Sequence, residues 1–239
     1  MTEESVRVNF GRPFPIFLLR EVVVLPHAVI PLFIFERPYR QMIEDSLDGP
    51  GQIAMAVYEP DADPENTHPI PPIKPAVCLV QLVQHEHNPD GTFSILLQGI
   101  CRAKVIDEHP PDAARLYRAA TLAPLDTHDD HPPDLDDIQH QVHGLLANRR
   151  LAQLEPVRRL REQLEQREEP LEAPVFFDIM ALSLLSMIDA SALRYRLLAE
   201  PDPSERARLI ERELTSLTAT VAAADQQFDP DAPKGISWN

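Results

Sequence analysis

Short apolar runs, each bounded by proline or charged residues, dominate the first half of the chain. Runs of about four to eight residues rich in Val, Ile and Phe are typical of β-strands. The predicted strands are PIFLL (15–19), VVVL (22–25), VIPLFIF (29–35), IAMAVY (53–58), VCLVQLVQHEH (77–87), TFSILLQG (92–99), CRAKVID (101–107) and LYRAATL (116–122). We therefore expect a β-rich region over residues 1–125.

Two local signals refine this region. RPYRQMIEDSL (37–47) has its apolar residues at helical spacing, and Pro38 sits where a first helical residue tolerates a missing N–H. The segment Asn88–Gly91 places Pro at the second position of a type I turn and Gly at the left-handed position that follows. The pattern predicts a helix over 37–47 and a β-hairpin with its tip at Asn88–Gly91.

Beyond residue 133 the hydrophobic period becomes helical. Pro156 interrupts the first apolar stripe and should kink or split that helix. A nearly all-apolar helix follows, which we expect to be buried in a bundle; it contains Phe176, Phe177, Met180, Leu184 and Leu185. Asp134, Asp189 and Asp202-Pro203-Ser204-Glu205 are the predicted helix starts.

These patterns divide the chain into a β region (1–125), an acidic linker (126–133), a helical bundle (134–224) and a flexible tail (225–239). The proline-rich stretch 61–75 is expected to be a stiff exposed loop. We also expect the bundle to dock on the β region, because its central helix is apolar on more than one side.

Composition narrows the function. The chain has 22 Lys+Arg against 38 Asp+Glu and a formal net charge of −16, which disfavours nucleic acid and anionic membranes as partners. Its two cysteines, Cys78 and Cys101, form no CxxC motif, and we expect free thiols in a reducing cytoplasm. The N-terminus lacks the order of a signal peptide, and no apolar stretch is long enough to span a bilayer.

The string FPIFLLREVVVLPHAVIPLFIFERPYR (14–40) resembles the opening of the Lon protease N-terminal domain, also called the Lon substrate-binding domain. Its matching positions are Leu19-Arg20, Pro26, Pro31-Leu32, Ile34-Phe35-Glu36 and Tyr39-Arg40. A second block consists of Gln84-His85, Pro89-Asp90-Gly91, ILLQG (95–99) and Arg102. LYRAATLAPL (116–125) is similar to the family's last strand, and LLAEPDPSERARLIERELTSL (197–217) resembles the helical part of stand-alone bacterial members.

Two positions depart from the family pattern. His27 stands where the family usually has Gly, so either a left-handed backbone is strained there or the turn is rebuilt. Arg37-Pro38 inverts the usual order of these residues and affects where the helix begins.

The resemblance implies an α+β fold, a PUA-like, mostly antiparallel β-barrel followed by a C-terminal helical bundle. It also implies a role in capturing substrates. We expect a stand-alone form without the ATPase and protease domains, because no phosphate-binding G-x-x-x-x-G-K-[ST] motif occurs and no lysine has the context of the Lon catalytic dyad. No catalytic residue, cofactor or metal is therefore predicted.

Several residues are candidates for a metal or ligand site. His85 and His87 share one face of a predicted strand and could bind metal with Cys78, Cys101 and His109, although solvent-facing histidines are the favoured interpretation. Glu36 and Arg40 lie four residues apart at a helix start and could form an ion pair, and a structural role is favoured over a ligand-binding one. The acidic run 126–137, with His128 and His131, is interpreted as a solvated linker rather than a cation site.

The leading hypothesis is a non-enzymatic module that binds unfolded or extended polypeptide or a protein partner, with an adaptor role in quality control or proteolysis. The expected surfaces are a barrel–bundle cleft and exposed strand edges, which accept a peptide by strand addition. The alternative is an RNA-binding PUA-like protein, which the net charge disfavours. Assembly into a homo-oligomer stays open.

Overall fold

Six strands form one sheet, and each strand coincides with an apolar run of the sequence. The structure is a computed structural model that describes residues 6–19, 22–59, 72–126, 132, 134–167, 169–184 and 191–227. The strands are β1 (Phe14–Leu19), β2 (Val29–Ile34), β3 (Gln52–Val57), β4 (Ala76–His87), β5 (Phe93–His109) and β6 (Ala119–Pro124).

The sheet closes on itself. Its strand order is β2-β5-β4-β3-β1-β6, and the second half of β5 also pairs with β6, which closes β5, β4, β3, β1 and β6 into a barrel and leaves β2 paired only with β5 among the described strands. Only the β1–β3 pairing is parallel among the described strands, and every other pairing is antiparallel. The predicted α+β class with a mostly antiparallel barrel is confirmed.

The barrel closes because the long strand β5 pairs with different strands along its two halves. Two separate strands were expected over 92–107, but β5 is continuous for 17 residues. Its first half pairs with β2 and its second half with β6, and the change of partner occurs near Gly99 and Ile100. The ladder with β4 skips Ile100, which makes this residue a β-bulge. A Cβ at Gly99 would lie only 2.3 Å from the carbonyl oxygen of Leu25, so any residue other than glycine would clash with the Leu25 backbone.

The strand predicted over 22–25 is wrong. Val24 and Leu25 are buried at 2% and 1% exposure, yet residues 22–25 form no ladder in the structure. These residues are apolar because they are buried in the loop that leads into the turn at Pro26–His27, where the backbone of Leu25 lies close to Gly99. Apolar composition alone does not separate a core loop from a short strand.

The predicted hairpin is confirmed. The N–H of Gly91 donates to the Asn88 carbonyl at 3.0 Å, and Gly91 has a φ of +79°. This type I turn with a left-handed glycine joins β4 to β5.

Helices cover one side of the barrel. They are α1 (Arg37–Leu47), α2 (Leu135–Leu146), α3 (Glu155–Glu165), α4 (Ala173–Leu184), α5 (Ser191–Ala199) and α6 (Pro203–Gln227), with a 3-10 turn at Leu151–Gln153. Pro156 lies in the first turn of α3 and separates it from the 3-10 turn, as predicted. No described helix is both long and apolar enough to cross a membrane.

Helix starts were predicted with mixed success. The carboxylate of Asp202 accepts the Ser204 N–H at 2.8 Å at the start of α6, as expected for a cap. Asp134 does not cap α2; its carboxylate instead contacts Ser204 and Arg208. Residues 225–227, assigned to the tail, continue α6, and Asp189 lies outside the described residues.

Two apolar clusters hold the described residues together. One fills the barrel and includes Phe14, Ile16 and Leu79. The other extends from the outer barrel face, through α1, into the bundle. Phe176, Phe177 and Met180 of α4 belong to this second cluster, so the helices pack on the barrel through a shared core.

Candidate functional site

An exposed apolar strip runs along β2. Its members Val29, Phe33 and Phe35 are 56%, 58% and 63% exposed, although each is a large apolar side chain. The ring centroids of Phe33 and Phe35 lie 6.4 Å apart. We call Val29, Pro31, Phe33 and Phe35 the β2 strip. Clustered exposed apolar side chains of this kind mark interaction surfaces more often than scattered ones do.

A groove of about 440 Å³ lies beside the β2 strip. The register pairs Pro31 with Leu96 and Phe33 with Ser94, so these side chains share the outer face of the sheet. Gln84 and Glu86 of β4 pair with Leu96 and Ser94 and extend the same face. The groove is lined by Pro31, Leu32, Phe33, Gln84, Glu86, Ser94, Ile95 and Leu96. It therefore offers apolar contacts along β2 and polar contacts along β4.

The backbone edge of β2 is less suited to strand addition than the sequence suggested. Gly99 donates its N–H to Ala28 at 2.8 Å, which in this register directs the polar backbone groups of Ile30, Leu32 and Ile34 toward β5. The groups of Val29, Pro31 and Phe33 then face the free edge, and Pro31 has no N–H to donate. A peptide added to β2 would miss its central hydrogen bond, so side chains rather than backbone must carry recognition there.

A second site is the cleft between barrel and bundle, with a volume of about 520 Å³. Its walls come from the turn before β2, the β5 bulge, the segment after β6 and the N-terminal parts of α4 and α6. They consist of Pro26, His27, Ile100, Cys101, Arg102, Asp126, Glu172, Pro174, Asp178, Pro203 and Arg206. We call this space the barrel–bundle cleft.

A buried ion pair forms the floor of the cleft. Arg102 of β5 is 3% exposed and donates to both carboxylate oxygens of Asp178 on α4, at 3.2 and 2.5 Å. Its Nε–H also donates to the Leu197 carbonyl at 3.1 Å. Burial opposes the charge on Arg102, but the attraction of Asp178 leaves its pKa raised. This pair links the barrel to two helices of the bundle.

A second arginine lies above this pair. Arg206 of α6 is 6% exposed, and its Nη1 donates to Asp126 at 2.8 Å and to the carbonyls of Glu200 and Pro201. Burial lowers the pKa of Arg206, and the neighbouring Arg102 lowers it further. The Asp126 carboxylate is also 4.0 Å from Arg102, so one acid serves two buried arginines.

His27 stands at the mouth of the cleft. It adopts the left-handed conformation, with a φ of +65°, and its N–H donates to the Gly99 carbonyl at 3.0 Å. The turn is therefore not rebuilt, and the histidine accepts a backbone conformation that glycine adopts at lower cost.

The candidate metal ligands do not converge among the described residues, where no group of three His, Cys, Asp or Glu side chains could hold an ion. His85 and His87 are exposed on β4, and His87 stacks on Phe93 with centroids 4.5 Å apart. Cys78 and Cys101 are free thiols that pair with Arg102 and Leu79, respectively, and so lie on opposite faces of the sheet. Burial raises the pKa of Cys101 to about 11.

The Glu36–Arg40 ion pair that the spacing allows does not form. Arg40 Nη1 donates instead to the Gly91 carbonyl at 3.1 Å, which ties α1 to the hairpin tip. No ion pair joins Glu36 to Arg40 in the described part of the chain. Of the acidic run, Asp126 and Asp134 contact α6, whereas His128 and His131 lie outside the described residues.

Comparison with known proteins agrees with this architecture. Residues 13–216 match the family described as the ATP-dependent protease La (LON) substrate-binding domain. The chain belongs to this family. The match covers both the barrel and most of the bundle.

Curated relatives of this Lon substrate-binding domain protein include much longer chains. The Lon protease of Azorhizobium caulinodans is 33% identical over 115 residues, which are 47% of this chain and 13% of that protein. Lon protease 1 of Myxococcus xanthus is 32% identical over 106 residues, 43% of this chain and 13% of that protein. The aligned segment thus spans about one eighth of the relatives' length.

Solved structures share the fold. The N-terminal domain of Mycobacterium avium complex Lon protease superimposes with a TM-score of 0.63 at 15% identity and covers 85% of this chain and 98% of that chain. The Lon N-terminal domain protein from Xanthomonas campestris gives a TM-score of 0.51 at 20% identity, with 82% and 95% covered.

Sequence reasoning missed the residues that build the cleft. Arg102 was noted only as part of the family resemblance, and Asp178 and Arg206 gave no local signal. Their separation in the chain explains this, because Arg102 and Asp178 are 76 residues apart. Only the fold brings them together.

Proposed function

We propose that this chain is a non-enzymatic module that binds extended, apolar polypeptide segments on the β2 strip and its groove. The observation that carries the proposal is the exposure of Val29, Phe33 and Phe35 on a face that no described element covers. Removing these side chains from water on binding supplies a favourable hydrophobic contribution. Membership of a family described as the Lon substrate-binding domain supports a polypeptide as the ligand.

The chemistry of the groove further defines the segment. Ser94 of β5 lies next to the β2 strip, Gln84 and Glu86 of β4 line the far side of the groove, and none of the described lining residues is a lysine or an arginine. Such a surface suits a chain with apolar residues on one side and polar or basic residues on the other. It does not suit a phosphate backbone, which requires basic side chains.

We further propose an adaptor role in cytoplasmic proteolysis, in which the bound segment is presented to a separate protease. The support is the similarity to the N-terminal part of proteins named Lon protease. Two free thiols, Cys78 and Cys101, are compatible with a reducing compartment.

The test compares two equally exposed apolar residues. Phe33→Asp alters the β2 strip, and Ile106→Asp alters a residue that is 59% exposed on the distant half of β5. A fluorescently labelled peptide with alternating Leu and Ser residues is titrated with each variant, and anisotropy is measured. We expect Phe33→Asp to weaken binding at least about tenfold, because a charge replaces an apolar contact. Ile106→Asp should bind like the wild type. Equal affinity of the two variants would contradict the proposal.

A further inference from the structure

Arg206 has donors that the fold does not use. A guanidinium carries five N–H groups, and in Arg206 the acceptors from Asp126, Glu200 and Pro201 all lie on Nη1. No described residue accepts a hydrogen bond from its Nε or Nη2. Both atoms keep some accessible surface, although the side chain is only 7% exposed. Because these two atoms are accessible and Arg206 lines the barrel–bundle cleft, this edge of the guanidinium is free to donate hydrogen bonds to a ligand in the cleft.

The unused edge has a defined shape. The Nε–H and one Nη2–H of an arginine point in parallel and match the two oxygens of a carboxylate. The cleft also holds Asp126, Asp178 and Glu172 beside its two arginines. Because these three carboxylates outnumber the two arginines, a doubly charged phosphate would be repelled more strongly than a planar anion with a single negative charge.

The cleft adjoins the β2 strip. His27 and Pro26 line the cleft, and Val29 begins the strip two residues after His27. Four residues of extended chain, about 13 Å, lead from Val29 to Phe33. A polypeptide lying along β2 can therefore place its end in the cleft, where Pro26, Ile100 and Pro174 offer apolar contacts for a last side chain.

We propose that the barrel–bundle cleft binds the C-terminal carboxylate of the polypeptide held on the β2 strip, with the Nε and Nη2 edge of Arg206 as its receptor. This inference rests on the proposed function, since it concerns the end of the same ligand. It makes the chain selective for polypeptide ends over internal segments.

The experiment uses one apolar octapeptide in two forms, with a free C-terminal acid and with a C-terminal amide, both labelled at the N-terminus. Anisotropy titrations of the whole chain should show the acid binding at least about tenfold more tightly than the amide, since a charge-assisted bidentate contact is lost on amidation. Equal dissociation constants for the two forms would overturn the inference while leaving the proposed function intact. If neither form binds, both this inference and the proposed function are contradicted.

Variants then assign the contact. Arg206→Gln should abolish the difference between acid and amide, whereas Arg212→Gln, an exposed arginine on the same helix, should preserve it. Phe33→Asp should weaken both peptides by the same factor and keep their ratio. A tenfold preference that survives in Arg206→Gln would contradict the role of this side chain. Because the comparison of acid with amide is made first on the wild type, it does not depend on how well Arg206→Gln folds.

Discussion

The β2 strip and the barrel–bundle cleft lie at either side of the bulge in β5, and they are built in opposite ways. The first half of β5 pairs with β2 and leaves Val29 and Phe33 uncovered. After the bulge, the same strand carries Arg102, which is buried against Asp178 of the bundle. One half exposes apolar groups that a folded chain usually covers, and the other buries charges that it usually exposes.

The difference indicates that the ion pair at the cleft floor holds the fold together, whereas the β2 strip supplies an apolar binding surface that folding does not require. A buried, doubly hydrogen-bonded ion pair is sensitive to the loss of either partner, so replacing either residue should strongly lower the free energy of unfolding. Exposed side chains contribute little to folding, so substitutions in the β2 strip should change the free energy of unfolding only slightly. Substitutions in the two regions should therefore separate stability from binding.

The largest effect is expected for Asp178→Leu. It leaves Arg102 buried at 3% exposure without its carboxylate, which should lower the free energy of unfolding by about 3–5 kcal/mol. Urea denaturation followed by circular dichroism measures this. The double variant Arg102→Met with Asp178→Leu serves as the control and should recover most of the loss. A loss below about 1 kcal/mol in the single variant would show that the pair does not hold the bundle to the barrel.

The next effect concerns the point where the two halves of β5 meet. In Gly99→Ala the new Cβ would lie 2.3 Å from the Leu25 carbonyl oxygen, so backbone must shift. We expect a loss of about 1–3 kcal/mol in the same denaturation experiment. Gly144→Ala is a matched control, because nothing lies within 4 Å of the position of its Cβ. Similar stability of the two variants would mean that the close approach at the bulge is not a constraint.

The smallest effect on folding is expected in the strip. Phe33→Asp should change the free energy of unfolding by no more than about 0.5 kcal/mol, because Phe33 is 58% exposed. The same variant should lose peptide affinity, as described above. A loss of stability comparable to that of Asp178→Leu would show that the β2 strip is needed for folding and would contradict its role as a binding surface.

Elements set by neighbouring residues were predictable from sequence. The Asn88–Gly91 turn needs only its own proline and glycine, and α1 needs only its apolar spacing and Pro38. Pro156 separated two helical segments for an equally local reason.

Features that depend on distant contacts were not predictable. The apolar run 22–25 predicted a strand, although Val24 and Leu25 are buried in a loop. Gly99 suggested the end of a strand, but it allows close contact between β5 and Leu25 within a continuous strand. The sequence predicted a cleft between the barrel and the bundle but not its lining residues. Arg102 and Arg206 pair with carboxylates that are distant in the chain, and only the folded structure brings them together.

The most direct test of polypeptide binding on the β2 strip is hydrogen–deuterium exchange of the whole chain, with and without a saturating unfolded polypeptide that cannot refold. We predict that protection increases in peptides covering residues 29–35 and 94–98, which form the strip and its groove. Segments of the barrel far from it, such as 52–57, should be unchanged. Unchanged exchange at 29–35, together with new protection elsewhere on the barrel or bundle, would contradict the account.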